Sequence, residues 1–324
     1  VLILSSASAW DLSPLHLESP VVSHVTLFGS RAILSLIRQH AHQEYSLVEA
    51  TWPERPKPFP SYVRPFPNKE IQTVGNCSHV QMAVSSDYDG LSHLLVLDTG
   101  WLDVCPPKVL LYHLFTNRQV DHYELSGVAR GRLTALVADT VTLPLGSRAY
   151  VAEPRPGVLA VLNLPSGRWR EVSLRPPPLT PPLSPSVSLL ALAGTHLYLA
   201  SHHSDTLFRL NLTDLRISTP SSAGDNSLEV KFEGSLLGAP RGLVVDPWGS
   251  LYYCLARDYA CVSWNTHRPL RAESHHVLLQ SAQLLPEVHQ LFLDLQKQLW
   301  ALTESNNGSH CVHISKPTIG YPLS

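Results

Sequence analysis

Acidic and histidine side chains recur just past short apolar segments of this chain, at positions where they could share one site. Asp98, Glu153, His202 and Glu304 each follow such a segment within one or two residues. Carboxylates suit a cationic amine because they accept charge-assisted hydrogen bonds. A carboxylate together with a histidine can also act as acid and base when a proton moves on a substrate. The residue types therefore indicate an amine-binding site or an acid–base site.

The same residues also suit simpler structural roles. Asp98 begins an Asp-Thr-Gly turn signal, Glu153 precedes a proline and suits a solvated loop, and His202 lies in a polar connection where a surface histidine is common. The chain has no nucleophile elbow, phosphate-binding loop or metalloprotease motif, and no metal-ligand motif of fixed spacing. The sequence therefore predicts neither a metal nor another cofactor.

A repeat of about 50 residues positions these side chains. Five apolar segments share one pattern and start 55, 48, 54 and 48 residues apart: Leu94–Leu97, Ala149–Ala152, Leu197–Ala200, Leu251–Cys254 and Leu299–Leu302. After each start a second strand-like run begins 9 to 15 residues later, and most of these runs end in a turn signal. This period with several strands per repeat is typical of the blades of a β-propeller.

Two other architectures fit the repeat less well. A β-sandwich has no reason to repeat its first strand at near-constant spacing, and a (β/α)8 barrel needs helices that 27 prolines disfavour. A further unit around residues 30–37 makes six blades, although that segment also suits a short helix. We expect an all-β, six-bladed propeller over residues 10–324, with the repeated segments as its channel-lining inner strands. The last blade is expected to be short or completed by the N-terminal segment.

The composition excludes several classes of protein. The net charge is -2, with 24 basic and 26 acidic residues, so the basic surface of a nucleic-acid-binding protein is not expected. No apolar run reaches the length of a membrane span, and no membrane partner is predicted. Hydrophobic residues make up 44% and charged residues 15%, which is typical of a chain with a large packed core.

Several features predict secretion. Residues 1–9 resemble the end of a signal peptide, with an Ala7-Ser8-Ala9 cleavage pattern. Glycosylation sequons begin at Asn76, Asn211 and Asn307. The five cysteines show no metal-binding spacing, and in an oxidising compartment they allow two disulfides.

The most specific motif of the chain is Leu97-Asp98-Thr99-Gly100 followed by Cys105-Pro106-Pro107-Lys108. This motif and several others resemble those of the yellow/major royal jelly protein family. The other motifs are 62–70 with Gly75-Asn76-Cys77, Ala149–Glu153, Gly167–Arg170, Arg241-Gly242-Leu243 with Asp246, and Ser263-Trp264-Asn265. Together the motifs cover about residues 22–305 and follow the order found in the family. The resemblance implies a secreted six-bladed propeller. It also implies a disulfide between Cys77 and Cys105.

The chain departs from the family pattern near the expected ligand site. The family's last inner strand ends in Ser-Asn-Arg, and an Asn there contacts amines in salivary members, whereas this chain has Thr303-Glu304-Ser305-Asn306. Leu95 and Ser263 also replace the family's usual Trp and Cys. The resemblance therefore directs attention to Glu304 and Thr303 as ligand-binding candidates, beside Asp98, Glu153 and His202.

Family members serve arthropod cuticle pigmentation, dopachrome conversion in melanin synthesis, amine binding in saliva, or nutrition. The resemblance thus implies a secreted, extracellular protein of the melanin and catecholamine pathway, with a catecholamine or indole-amine ligand and a possible dopachrome tautomerase activity. The alternative is a non-catalytic amine binder or a structural or nutritive glycoprotein.

Overall fold

The computed structural model describes residues 7–8, 10–53, 62–101, 104–128, 133–141, 146–153, 155–176, 185–217, 226–305 and 308–314. These residues form six small sheets arranged as the blades of a β-propeller, as the sequence predicts. A two-residue strand, β1 (Ala7–Ser8), comes first. Single helical turns lie at Ser13–Leu15, Glu70–Gln72 and Ala272–Ser274, and the short helix α1 spans Leu212–Ile217.

The first three blades follow one another along the chain. Blade 1 contains β2 (Val22–Phe28), β3 (Arg31–Leu36), β4 (Leu47–Thr51) and β5 (Val63–Pro65). Blade 2 contains β6 (Ala83–Tyr88), β7 (His93–Asp98), β8 (Lys108–His113) and β9 (Arg118–Glu124). Blade 3 contains β10 (Ala135–Asp139), β11 (Arg148–Ala152), β12 (Val158–Asn163) and β13 (Arg168–Arg175).

The other three blades complete the ring. Blade 4 contains β14 (Leu189–Ala193), β15 (His196–Ser201), β16 (Ser204–Asn211) and β18 (Lys231–Ser235). The short strand β17 (Ser227–Glu229) precedes β18 in the sequence but pairs in parallel with β13 of blade 3. Blade 5 contains β19 (Pro240–Val245), β20 (Ser250–Leu255), β21 (Ala260–Asn265) and β22 (His275–Gln280). Blade 6 contains β23 (Glu287–Leu293), β24 (Leu299–Ser305) and β25 (Gly308–Ile314).

The N-terminal segment completes the last blade. β1 pairs antiparallel with β25, with Ala7 opposite Val312 and Ser8 opposite Cys311. The fourth strand of blade 6 therefore comes from the opposite end of the sequence. This pairing closes the ring, because the chain segment that pairs in blade 6 continues directly to β2 of blade 1.

The repeated apolar segments are the second strand of each blade, so the prediction that they line the channel is wrong. In β3, β7, β11, β15, β20 and β24 nearly every residue is buried. Each second strand packs against neighbouring blades on both faces, and this favours an unbroken apolar run. The channel is lined by the preceding strands, β2, β6, β10, β14, β19 and β23, whose burial is mixed because one side faces the cavity.

Strand direction gives the propeller two different faces. We call the upper face the one where first strands begin and second strands end, and the lower face the opposite one.

Side chains join neighbouring blades around the channel between these faces. The Gln290 amide bonds both backbone groups of Val25, accepting from N at 2.7 Å and donating to O at 3.1 Å, and thereby joins blade 6 to blade 1. The Thr26 hydroxyl donates to Ser86 O at 2.8 Å and joins blade 1 to blade 2.

Candidate functional site

A central channel with a cavity volume of about 880 Å³ runs between the two faces. All six first strands contribute lining residues, most of which are apolar, such as Val25, Leu136 and Phe292. Serine, threonine and ionisable side chains also line the cavity, and the histidines among the lining residues are His24, His202 and His289. A cavity of this size with a few converging polar side chains is the usual form of a small-molecule site.

His289 and Glu304 form a pair at the upper end of the channel. The ladder between β23 and β24 shifts register between Val288 and Gln290, so His289 is the extra residue of a bulge, and it lines the cavity. Its Nε2 lies 2.9 Å from Glu304 Oε2, with side-chain exposures of 20% and 31%. Because a carboxylate can only accept, Nε2 carries the proton and a neutral His289 keeps its lone pair on Nδ1.

His202 reaches the same cavity from blade 4. It follows β15, and its backbone N donates to Ser188 Oγ at 2.9 Å, which holds the connection against the first strand of its blade. The ring Nδ1 lies 3.2 Å from Pro240 O and therefore carries a proton. Burial lowers the pKa of His202, with the Pro240 carbonyl acting in the opposite direction, so the neutral ring presents its lone pair on Nε2.

Thr303 lies beside Glu304 but faces the other way, as successive residues of a strand do. It is fully buried, and its Oγ1 lies 3.0 Å from His310 Nε2 on the neighbouring strand β25. Thr303 is therefore a contact within blade 6 rather than a lining residue of the cavity.

Asp98 is fully buried one strand away from the channel. Its carboxylate accepts hydrogen bonds from the backbone N atoms of Gln81, Met82 and Gly100 at 2.7, 3.0 and 2.8 Å, and the ammonium of Lys108 lies 3.2 Å away. Gly100 has a φ of +78°, and a Cβ there would meet Cys105 O at 2.1 Å, so the turn requires glycine. The geometry gives Asp98 the role of holding the start of the channel-lining strand β6.

Glu153 is also fully buried and paired with a cation. The guanidinium of Arg155 forms a two-point contact with it and also binds Glu171. These carboxylates raise the pKa of Arg155. Among the five candidates, the structure therefore brings Glu304, through His289, and His202 to the cavity, whereas Asp98, Glu153 and Thr303 do not line it.

Sequence analysis missed the polar residues of the first strands. His24 Nε2 donates to Ser86 O at 2.7 Å, and burial lowers the pKa of His24 to about 4. Asp87 accepts from the backbone N atoms of Ala138 and Tyr88 at 2.8 and 2.9 Å, and burial raises its pKa to about 6. In the sequence, each of these residues is a polar residue in the less apolar strand that precedes a repeated apolar segment. Such a residue can be assigned to the channel only when it is known that the first strand of each blade lines it.

The disulfide implied by the resemblance is present. Cys77 is bonded to Cys105, and Cys254 is bonded to Cys261 across the hairpin of β20 and β21. Cys311 is buried in blade 6 and takes part in neither disulfide.

The sequon residues Asn76 and Asn211 are exposed, whereas Asn307 lies outside the described residues. Across the residues with assigned positions, no three His, Cys, Asp or Glu side chains are grouped as metal ligands would be. In the same part of the chain, no helix has the length and apolar character needed to cross a membrane.

Comparisons with known proteins agree with the fold and the motifs. The family model described as "Major royal jelly protein" matches residues 183–313, which contain blades 4 and 5 and, up to His313, the strands β23 to β25 of blade 6. Major royal jelly protein 1 of Apis mellifera is 22% identical over 253 residues, covering 69% of this chain and 57% of that protein. Major royal jelly protein 6 of the same species is 21% identical over 253 residues, with 69% and 56% covered. The chain thus spans little more than half the length of these relatives.

Solved structures show similarity of fold alone. Virginiamycin B lyase from Staphylococcus aureus, as a catalytically inactive variant with quinupristin, aligns with a TM-score of 0.56 and 9% identity, covering 97% of this chain and 89% of that one. A chain of a nidogen/laminin complex aligns with a TM-score of 0.54 and 12% identity, covering 83% and 86%.

Proposed function

Because the chain belongs to the yellow/major royal jelly protein family, we propose that it is a secreted glycoprotein of the melanin and catecholamine pathway that converts dopachrome. The observation that carries the proposal is the His289–Glu304 pair at the upper mouth of the channel. The ligand is a catechol or an indole amine derived from dopa. The proposed glycans are on Asn76, Asn211 and Asn307.

The charge of the upper face supports a cationic or zwitterionic ligand. Glu70, Asp258 and Glu287 are exposed on or beside the upper connections, where Glu44 is paired with Lys69. Glu287 lies opposite the half-exposed Glu304 in the strand ladder. Such a rim attracts an ammonium group, and the apolar cavity wall below it accepts a flat aromatic ring.

The proposed reaction is a redox-neutral tautomerisation. A proton leaves a ring carbon of the aminochrome, the electron pair of that C–H bond moves into the ring, and a quinone oxygen gains a proton. His202 is suited to accept the carbon-bound proton because its ring is neutral and Nε2 holds the lone pair. His289 is suited to give a proton to the oxygen in its protonated form, in which Glu304 holds Nε2–H and the proton on Nδ1 is the one transferred. Solvent then returns both histidines to their starting states.

The test mixes purified protein with freshly oxidised dopa and follows the loss of dopachrome colour. In Glu304→Gln the amide oxygen can still accept from His289, but the negative charge is lost, so we expect the catalysed rate to fall at least about tenfold. Glu273→Gln, an exposed change on the lower face, is the control and should keep the parent rate.

Calorimetry with dopamine and serotonin distinguishes the two family roles. A parent rate equal to the buffer blank, together with amine binding that Glu304→Gln weakens, would favour a non-catalytic amine binder. The carboxylate of Glu304 serves that role equally well, because it can pair directly with an ammonium group. No effect of Glu304→Gln on rate or binding would remove Glu304 from the site.

A further inference from the structure

Large apolar side chains protrude from the turns of the lower face. The exposed fractions are 64% for Leu91, 72% for Phe115, 64% for Trp248 and 57% for Leu295. Each lies in a turn that joins two strands of a blade, in blades 2, 5 and 6, which are separated only by blade 1 around the ring. Several exposed apolar tips on one face of a folded domain mark an interaction surface.

The tips of blade 2 belong to a continuous aromatic cluster. The ring of Phe28 lies 5.1 Å from that of Phe115 and 5.3 Å from that of Tyr88, measured between centroids. The Tyr88 hydroxyl donates to Leu91 O at 2.9 Å. The exposed side chains of Leu91 and Phe115 are therefore mounted on rigid, packed neighbours, so their protrusion is built into the fold.

The carboxylates of the same turns point inward. Asp89, Asp246 and Asp294 are each at least 90% buried, and each accepts backbone N–H bonds from its own turn. Asp246 and Asp294 also accept from the Tyr252 hydroxyl and from Trp300 Nε1. These acids close the turns and add little negative charge to the surface.

The exposed charge of the lower face is mainly cationic. Arg118, Arg168, Arg268 and Lys297 are exposed in or next to the lower turns. In the described part of those turns the exposed carboxylates are Asp214 and Glu273, and Glu273 faces Arg271. The upper face, with its exposed acids, has the opposite character.

We propose that the lower face docks on an anionic lipid bilayer. Apolar and aromatic tips between cationic side chains match the interfacial zone of such a membrane, where side chains enter the headgroup layer and arginines and lysines meet lipid phosphates and carboxylates. A protein that lies on a bilayer in this way needs no spanning segment. Docking by the lower face leaves the upper mouth of the channel open to solvent.

Vesicle sedimentation tests the proposal. We expect the parent protein to bind vesicles of phosphatidylcholine with phosphatidylserine, to bind phosphatidylcholine alone more weakly, and to lose binding as salt increases. The double change Trp248→Ser and Leu295→Ser should weaken binding at least about tenfold, because it removes apolar area that enters the interface. Arg118→Glu with Arg168→Glu should abolish the preference for the anionic lipid.

The matched control lies on the upper face. Val104→Ser with Leu237→Ser removes two side chains of comparable exposure, 58% and 42%, and should leave vesicle binding unchanged. All variants change exposed residues, and circular dichroism checks that each is folded. Failure of the parent protein to bind either vesicle, or equal losses in the upper-face and lower-face variants, would overturn the proposal. Binding to an acidic protein but to no vesicle would do the same.

Discussion

Single residues in the channel have properties that follow from burial rather than from their type. His24 and Asp87 both lie on channel-lining strands and are hydrogen-bonded to backbone groups. Burial penalises the charged form of each, which lowers the pKa of the histidine and raises that of the aspartate. The two groups therefore affect stability in opposite directions when the pH falls.

We predict that His24 makes the protein less stable in acid. Its pKa is about 4 in the folded chain against 6.5 for the unperturbed group, so the unfolded state takes up the proton first. This contribution is complete above pH 6.5 and is lost as the pH falls toward 4. Between pH 7 and 5, His24 alone lowers the free energy of unfolding by about 2 kcal/mol. Asp87, whose pKa of about 6 exceeds 3.8, adds about 1.4 kcal/mol over the same interval.

Urea denaturation at pH 7 and pH 5 measures this effect. In His24→Gln the amide can donate to Ser86 O, but no proton is taken up, so the variant should gain stability relative to the parent at pH 5. The exposed His122→Gln should keep the parent's pH dependence. Equal pH dependence in His24→Gln and the parent would contradict the assignment.

At the scale of elements, bulges and turns decide which side chains reach the channel. The register shifts in β2, β6, β19 and β23 all fall near the upper end of a first strand. The extra residues are Ser23, Val84, Gly242 and His289, and all four line the cavity. A recurrent bulge at this position turns one side chain of an otherwise regular blade toward the channel.

We predict that Gly242→Ala is more damaging than an ordinary glycine change. Gly242 has a φ of +65°, and a Cβ there would lie 2.7 Å from the backbone N of Leu291 in the next blade. The backbone strain and the clash together should lower the free energy of unfolding by about 3 kcal/mol.

The control for this prediction is Gly194→Ala. Gly194 has a φ of +54° with no heavy atom within 4 Å of the Cβ position, so it carries the strain without the clash and should cost about 1 kcal/mol. Urea denaturation of both variants gives the difference. Equal losses of stability in the two variants would mean that the clash between the added Cβ and blade 6 does not contribute to the effect of Gly242→Ala.

At the scale of the whole molecule, the ring depends on contacts between distant parts of the sequence. β1 supplies the fourth strand of blade 6, and the Gln290 amide joins that blade to β2. Two disulfides act within blade 5 and near the upper end of blade 2. Neither disulfide links the first blade to the last. The contacts that close the ring are therefore the hydrogen bonds of β1 and of Gln290.

We predict that loss of residues 1–9, which cleavage after the Ala7-Ser8-Ala9 pattern would also cause, weakens ring closure. The loss of two paired residues should lower the free energy of unfolding by about 2 kcal/mol. It also uncovers the edge of β25, which should promote self-association. Urea denaturation and size-exclusion chromatography measure the two effects. A variant lacking only residues 1–6 keeps β1 and is the control; equal changes in both variants would contradict the role of β1.

The sequence by itself determined the repeat, the number of blades, the resemblance to the yellow/major royal jelly protein family and the Cys77–Cys105 pair that this resemblance implies. The repeat is visible because second strands are buried on both faces and must be apolar. The family motifs are visible because they are local runs of sequence, of which Leu97–Gly100 and Ala149–Glu153 lie at the ends of second strands. Only the tertiary structure decided which strands line the channel. It showed that Asp98 and Glu153 are buried in ion pairs and that Glu304 meets His289 from the neighbouring strand. The contacts that distinguish a ligand-facing carboxylate from a buried one form between strands and between blades, whereas a repeat pattern records only the burial of each strand.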